Sequence, residues 1–177
     1  MNDFMDLCLS RQSCRKFTDR PVEREKLARC VEAARQAPSA CNSQPWSFVA
    51  VETPAVVAKV AECAQQLGAN AFLDKARAFI VVLEERAVLM PAVARLIDNR
   101  YFVKGDLGAA VLSICLEATS LGLGTCILGT YDRDEMRRLL DIPAEKNFGG
   151  LIALGYPESA KIRPKIRKPL EDILRFV

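Results

Sequence analysis

Ala78-Phe-Ile-Val-Val-Leu83 is an uninterrupted apolar run. Six residues are too few for a self-standing helix, and Ile80, Val81 and Val82 are β-branched. The run reads as a central strand buried on both faces. Around it the chain predicts further strands at Trp46–Val51, Thr125–Gly129 and Gly149–Tyr156. Three to five helices around four apolar strands imply a layered α+β or α/β protein.

The helices follow from periodicity and caps. Residues 3–10 predict a short helix, with Asn2 or Asp3 as cap. Glu23–Gln36 is amphipathic, with Leu27, Val31 and Ala34 as its stripe, and Pro38 ends it. Thr53 and Pro54 open the next helix, which runs to Leu67 and closes at Gly68, with Val56, Val60, Ala64 and Leu67 facing inward. Residues 85–99 read as helical, interrupted at Pro91. Asp106 caps a long helix to about Leu121, apolar almost all round and therefore buried, and Gly122 and Gly124 break it. Asp132-x-x-Glu135 resembles a capping box and opens a helix to about Asp141. After Pro157 comes a basic, proline-stiffened tail that includes Lys161, Arg163, Lys165, Arg167 and Lys168.

The 177 residues suit one domain, residues 1–177, with 158–177 as an extended tail. Half of them are apolar and 27% charged, and the net charge of +3 is too mild to imply nucleic acid or a membrane surface. No run is long enough to span a bilayer, and Met1-Asn-Asp-Phe-Met-Asp lacks the basic-then-apolar order of a signal peptide. Seven cysteines, an odd number with no C-x-x-C pair, argue against a disulfide framework, zinc or an iron–sulfur cluster. They suit a reducing cytoplasm. The chain has no histidine, which removes Ser-His, Cys-His and His-metal chemistry together. Any reaction must use other side chains, the backbone or a cofactor.

Two polar stretches are candidate site elements. Arg11-Gln-Ser-Cys-Arg-Lys-Phe17 gathers two arginines, a lysine and a serine, the donors a phosphate prefers. Arg11 and Arg15 are four apart; a helical run is expected to put them on one face and an extended run to part them. Ala37-Pro-Ser-Ala-Cys-Asn-Ser-Gln-Pro-Trp46 supplies uncharged amides and hydroxyls of the kind that meet a heteroaromatic edge. A solvated basic patch and an ordinary connection are the alternatives for these stretches. The tail carries no aromatic residues among its charges, against a nucleic-acid surface. Gly122-Leu-Gly124 follows a helix and precedes a strand, the reverse of a dinucleotide fingerprint.

Taken in order, Arg11-x-Ser-x-Arg-Lys-Phe17, Ala34-x-x-Ala-Pro-Ser-x-x-Asn-x-Gln-Pro-Trp46, Gly105-Asp-Leu-Gly-Ala-Ala110, Leu121-Gly-Leu-Gly-Thr125, Ala153-Leu-Gly-Tyr-Pro157 and Arg167-Lys-Pro-Leu-Glu171 resemble the FMN-dependent nitroreductase family, its short NADH oxidase or flavin reductase-like members in particular. The resemblance implies an α+β fold with a mostly antiparallel central sheet flanked by helices. It implies an intertwined homodimer in which each C-terminal tail, near Leu174–Val177, adds a strand to the partner's sheet. It places FMN at the interface. Arg11, Gln12 and Ser13 would take the phosphate and ribityl end, with Lys165 and Arg167 closing on the phosphate. Arg15 would face the pyrimidine edge and stabilise charge at N1 and the C2 carbonyl, the one catalytic role assigned to a side chain. Pro38, Ser39, Ala40 and Asn42 would come from the other subunit, and Leu128 and Gly129 would lie along the ring.

NADH or NADPH would deliver hydride to flavin N5 and leave, and a nitroaromatic, quinone or similar acceptor would follow in the same pocket, a ping-pong cycle. Neither a metal, nucleic acid nor a membrane is implied as partner. The brevity of Glu85–Lys104, where longer relatives cover the flavin, leaves an alternative open: a flavin-handling protein with little turnover. Cys14 and Cys41 adjoin the expected contacts and read as packing residues.

Overall fold

The computed structural model describes residues 3–65, 68–95 and 99–177. Helix α1 is Phe4–Ser10, α2 is Arg24–Arg35, and β1 is Trp46–Val51. Helix α3 (Pro54–Gln65) leads through a short 3-10 turn, Ala71–Lys75, into β2 (Ala78–Glu84). Then come α4 (Pro91–Ala94), α5 (Asn99–Ser120), β3 (Gly124–Leu128), α6 (Arg133–Leu139) and β4 (Asn147–Gly155).

The four strands lie in the order β1-β2-β4-β3. Each pairing is antiparallel, with a bulge where β2 passes Val82 and Leu83. β2 is buried from Ala78 through Leu83, as its apolar run requires. Its side chains divide by parity. Phe79, Val81 and Leu83 join a core with α3 and with Met136 of α6; Ala78, Ile80 and Val82 join a second core with α2 and α5. A strand with no polar face is therefore covered by helices on both sides.

Several expectations shift. The helix forecast to begin at a capping Asp106 starts seven residues earlier, at Asn99. Val103 extends the buried stripe of Leu107, Ala110, Ile114 and Ala118 by one turn, and Asp106 uses its carboxylate elsewhere. That helix buries a stripe rather than its whole circumference, since Tyr101 and Leu112 are exposed. In α3 the inward face is Val57, Val60, Ala61, Cys63 and Ala64; Val56 is only partly buried. In α2 the buried stripe is Leu27, Cys30 and Ala34, with Val31 partly covered. Asp3 stands at the cap of α1 without a side-chain bond, whereas Asp132 caps α6 by accepting from the Glu135 N–H at 2.9 Å. The α6 helix ends at Leu139, two residues short of Asp141. Asn2 and Leu67 lie outside the described residues.

The Arg11–Phe17 stretch is neither helix nor strand, but it is seated by strand-like bridges, Ser13 with Thr125 and Phe17 with Pro157. The Cys14 N–H donates to the Thr125 carbonyl at 2.7 Å, and the Thr18 N–H to the Tyr156 carbonyl at 2.8 Å. Two glycines make this approach possible. A Cβ on Gly124 would stand 2.6 Å from the Cys14 Cβ, and one on Gly155 would stand 2.8 Å from the Phe17 ring. Phe17 itself is fully buried. The glycines in Leu-Gly-Leu-Gly-Thr125 and Ala-Leu-Gly-Tyr156 thus clear space for the 11–17 stretch. Gly155→Ala is expected to lower the unfolding free energy by about 1–3 kcal/mol, the usual cost of overpacking, read by urea titration.

Candidate functional site

Arg11, Gln12, Ser13 and Arg15 meet Arg163, Lys165 and Arg167 around one open cleft of about 350 Å³. Arg11 and Arg15 thus share a side although the run is not helical. The expectation that an extended run parts them is wrong, because side chains of extended backbone repeat every second residue and positions four apart coincide. Among the described residues, five cations and no carboxylate line the cleft. Among the described residues the Arg11 guanidinium has no hydrogen-bond or ion-pair partner. The Arg15 guanidinium lies over the Phe72 ring, 6.0 Å from its centroid. The Arg167 guanidinium donates to its neighbour's carbonyl, Ile166 O, at 2.7 Å. Lys165 donates to the carbonyls of Cys8, at 2.9 Å, and Arg11. Burial, followed by the charges of Arg11 and Arg167, holds the Lys165 ammonium below the ordinary lysine range. Positive charge is therefore concentrated here without internal neutralisation.

Gln12 is engaged inside the chain. Its Nε2 donates to the Lys161 carbonyl at 3.0 Å, and its Oε1 accepts from Arg163. Behind this wall lies a larger cleft of about 630 Å³, bordered by Cys14, Lys16, Thr119, Leu123 and residues 157–163 of the tail. Burial raises the thiols of Cys14, Cys115 and Cys126, against any ready thiolate beside the cations.

The 38–42 loop does not enter either cleft. It is built as a separate, tightly held element. Cys41, Asn42 and Gln44 adopt left-handed backbone angles of 53°, 50° and 48°. Non-glycine residues in that region carry strain that surrounding contacts must hold. The Asp106 carboxylate accepts from the Ala40 N–H at 3.2 Å, the Ser39 hydroxyl oxygen from the Gln44 N–H at 2.9 Å, and the Ser43 hydroxyl oxygen from the Val88 N–H at 2.8 Å. Pro38 and Asn42 are exposed. Leu128 is buried at the end of β3 and Gly129 is exposed just beyond it. Sequence reasoning missed Asp106 as the loop's anchor and Arg163 as a cleft residue. Arg163 was visible only as one charge in a basic run, and Asp106 carried a convincing but misleading cap signal.

The nitroreductase family profile matches residues 8–67 and 56–156. An Archaeoglobus fulgidus protein described as a putative NADH dehydrogenase/NAD(P)H nitroreductase is 32% identical over 91% of this chain and 89% of its own length. The FMN reductase [NAD(P)H] of Bacillus subtilis is 27% identical over 98% of the chain and 73% of its own length. A putative nitroreductase from Exiguobacterium sibiricum, solved in complex with FMN, superposes with a TM-score of 0.84 over all of this chain and 98% of that one at 21% identity, a likeness of fold. The chain belongs to the nitroreductase family.

The lowered Lys165 pKa sets a pH dependence. The ammonium is charged below its folded pKa and becomes neutral as pH rises through it, before ordinary lysines near 10.5 do. Affinity for inorganic phosphate, followed by calorimetry, should fall across that interval in the unmodified chain. In Lys165→Met that step should be missing.

Proposed function

We propose that the chain is an FMN-dependent oxidoreductase that takes hydride from NADH or NADPH and passes electrons to a nitroaromatic, quinone or similar acceptor. The observation that carries this reading is the cleft in which Arg11, Arg15, Lys165 and Arg167 converge with no carboxylate beside them among the described residues. A phosphate monoester supplies the missing charge and accepts from guanidinium and ammonium donors. Family membership then selects FMN among phosphate-bearing ligands. The name of the Bacillus subtilis relative and the FMN-bound structural neighbour favour the same choice.

On this reading Arg11, Lys165 and Arg167 hold the phosphate, and Gln12 and Ser13 lie at the ribityl end. Arg15 faces the pyrimidine edge and stabilises negative charge there, with its other side toward Phe72. Leu128 and Gly129 border the ring. When bound, FMN supplies the hydride acceptance and electron release that no side chain of this chain offers. The absence of histidine fits a reaction that asks no imidazole to move a proton.

The site is completed by a second copy of the chain, whose Pro38, Ser39, Ala40 and Asn42 reach the flavin. The separation of that loop from the cationic cleft within one chain supports this arrangement. So do the exposed apolar side chains of α1 (Phe4, Met5, Leu9), of α5 (Tyr101, Leu112) and of the tail (Ile173, Leu174, Phe176, Val177). Several exposed apolar side chains on one short segment favour burial against a partner. The tail end would add a strand to the sheet of its partner.

Arg11→Ala should weaken FMN binding by about tenfold or more, the worth of a charge-assisted hydrogen bond, measured by quenching of flavin fluorescence. Unchanged affinity would remove Arg11 from the phosphate site. Initial rates with NADH or NADPH varied against a quinone should give parallel double-reciprocal lines; intersecting lines would contradict a ping-pong cycle. A bound flavin that neither nicotinamide reduces anaerobically would favour flavin handling without turnover.

A further inference from the structure

The tail from Glu158 to Arg167 contains no helix or strand, yet it follows the 8–17 stretch closely. The Glu158 N–H donates to the Lys16 carbonyl at 3.1 Å. Gln12 Nε2 donates to the Lys161 carbonyl at 3.0 Å. The Arg163 backbone N–H and Nε both donate to Gln12 Oε1, at 3.2 and 3.1 Å, and a terminal guanidinium nitrogen donates to the Ser13 carbonyl at 2.6 Å. Lys165 then reaches the carbonyls of Cys8 and Arg11. As the numbers rise along the tail, they fall along its partner stretch. The result is an antiparallel zipper made largely of side chains, where a sheet would use backbone ladders.

Gln12 and Arg163 form its central link. Gln12 commits both ends of its amide, and Arg163 commits Nε and a terminal nitrogen. In this Arg163 differs from Arg11, whose guanidinium is left for a ligand. The link stands two residues before Lys165 and four before Arg167, so it fixes where those cations emerge. It also holds them beside Arg11 and Arg15 against their mutual repulsion.

We propose that Arg163 is a positioning residue: clamped by Gln12 and Ser13, it holds the tail in register so that Lys165 and Arg167 complete the phosphate site. The inference rests on the FMN reading above and assigns the clamp a role separate from ligand contact. Removing the clamp weakens FMN binding only through Lys165 and Arg167.

Two measurements test it. The first is a binding cycle by flavin fluorescence. Arg163→Gln should weaken FMN affinity about tenfold in the unmodified background and leave it nearly unchanged in K165A/R167A. An equal loss in both backgrounds, or no loss in the first, overturns the positioning role; the equal loss points to direct contact or to general damage. The second is trypsin cleavage of the ligand-free chain after Lys161, Lys165 and Arg167. Position 163 precedes Pro164 and is a poor trypsin site, so the substitution deletes no readily cut bond. R163Q should be cut in the tail about tenfold faster, reflecting loss of the zipper's charge-assisted bonds. Equal rates overturn the clamp. If the unmodified chain binds no FMN, the cofactor reading fails, and the cleavage rates alone decide whether Arg163 clamps the tail.

Discussion

Positive charge without a counter-charge is the constraint on which this structure turns. Arg11, Arg15, Arg163, Lys165 and Arg167 border one cleft, and among the described residues no carboxylate lines it. Such a group is costly to assemble and gains most from an anion placed among its members. Elsewhere the same protein neutralises its cations readily: Arg24 pairs with Glu52, Arg29 with Glu117, Arg77 with Asp19 and Lys146 with Glu85. The five cations gather where two irregular segments far apart in sequence are stitched together.

The rest of the fold explains how such segments can be held firmly. A central strand buried on both faces anchors two apolar cores. The 11–17 stretch is fixed to the sheet by Phe17, which sinks into the core against Gly155, and by Cys14, which lies against Gly124. The tail is fixed in turn to that stretch through Gln12 and Arg163. Rigidity therefore passes outward from core to stretch to tail, and the outermost layer delivers Lys165 and Arg167. The 39–44 loop is rigid for another reason, since Asp106 and the serine hydroxyls hold its left-handed backbone in place.

Much of the fold was legible because its signals are local. The run at Ala78–Leu83 needs no partner to be recognised as a buried strand, and Asp132 caps α6 as its sequence context indicates. Asp106 misled because a helix-start signal and a tertiary hydrogen bond draw on the same carboxylate, and here the bond to Ala40 uses it. The two glycine motifs were legible as punctuation, but not as clearance for Cys14 and Phe17, since that depends on contacts across more than 100 residues of chain. Family resemblance named Arg11, Arg15, Lys165 and Arg167 as site residues, and the structure brings the four to one cleft. Its clamp was not, because a side-chain zipper leaves no periodic trace in either strand of sequence.

The central claim is that Arg11, Lys165 and Arg167 form a phosphate site, and it is tested most directly by comparing two ligands that differ only in that phosphate. Thermal midpoints of the flavin-free protein should rise with added FMN in a concentration-dependent way. Riboflavin at the same concentrations should raise them far less. Equal shifts with the two ligands, or none with FMN, would contradict the account.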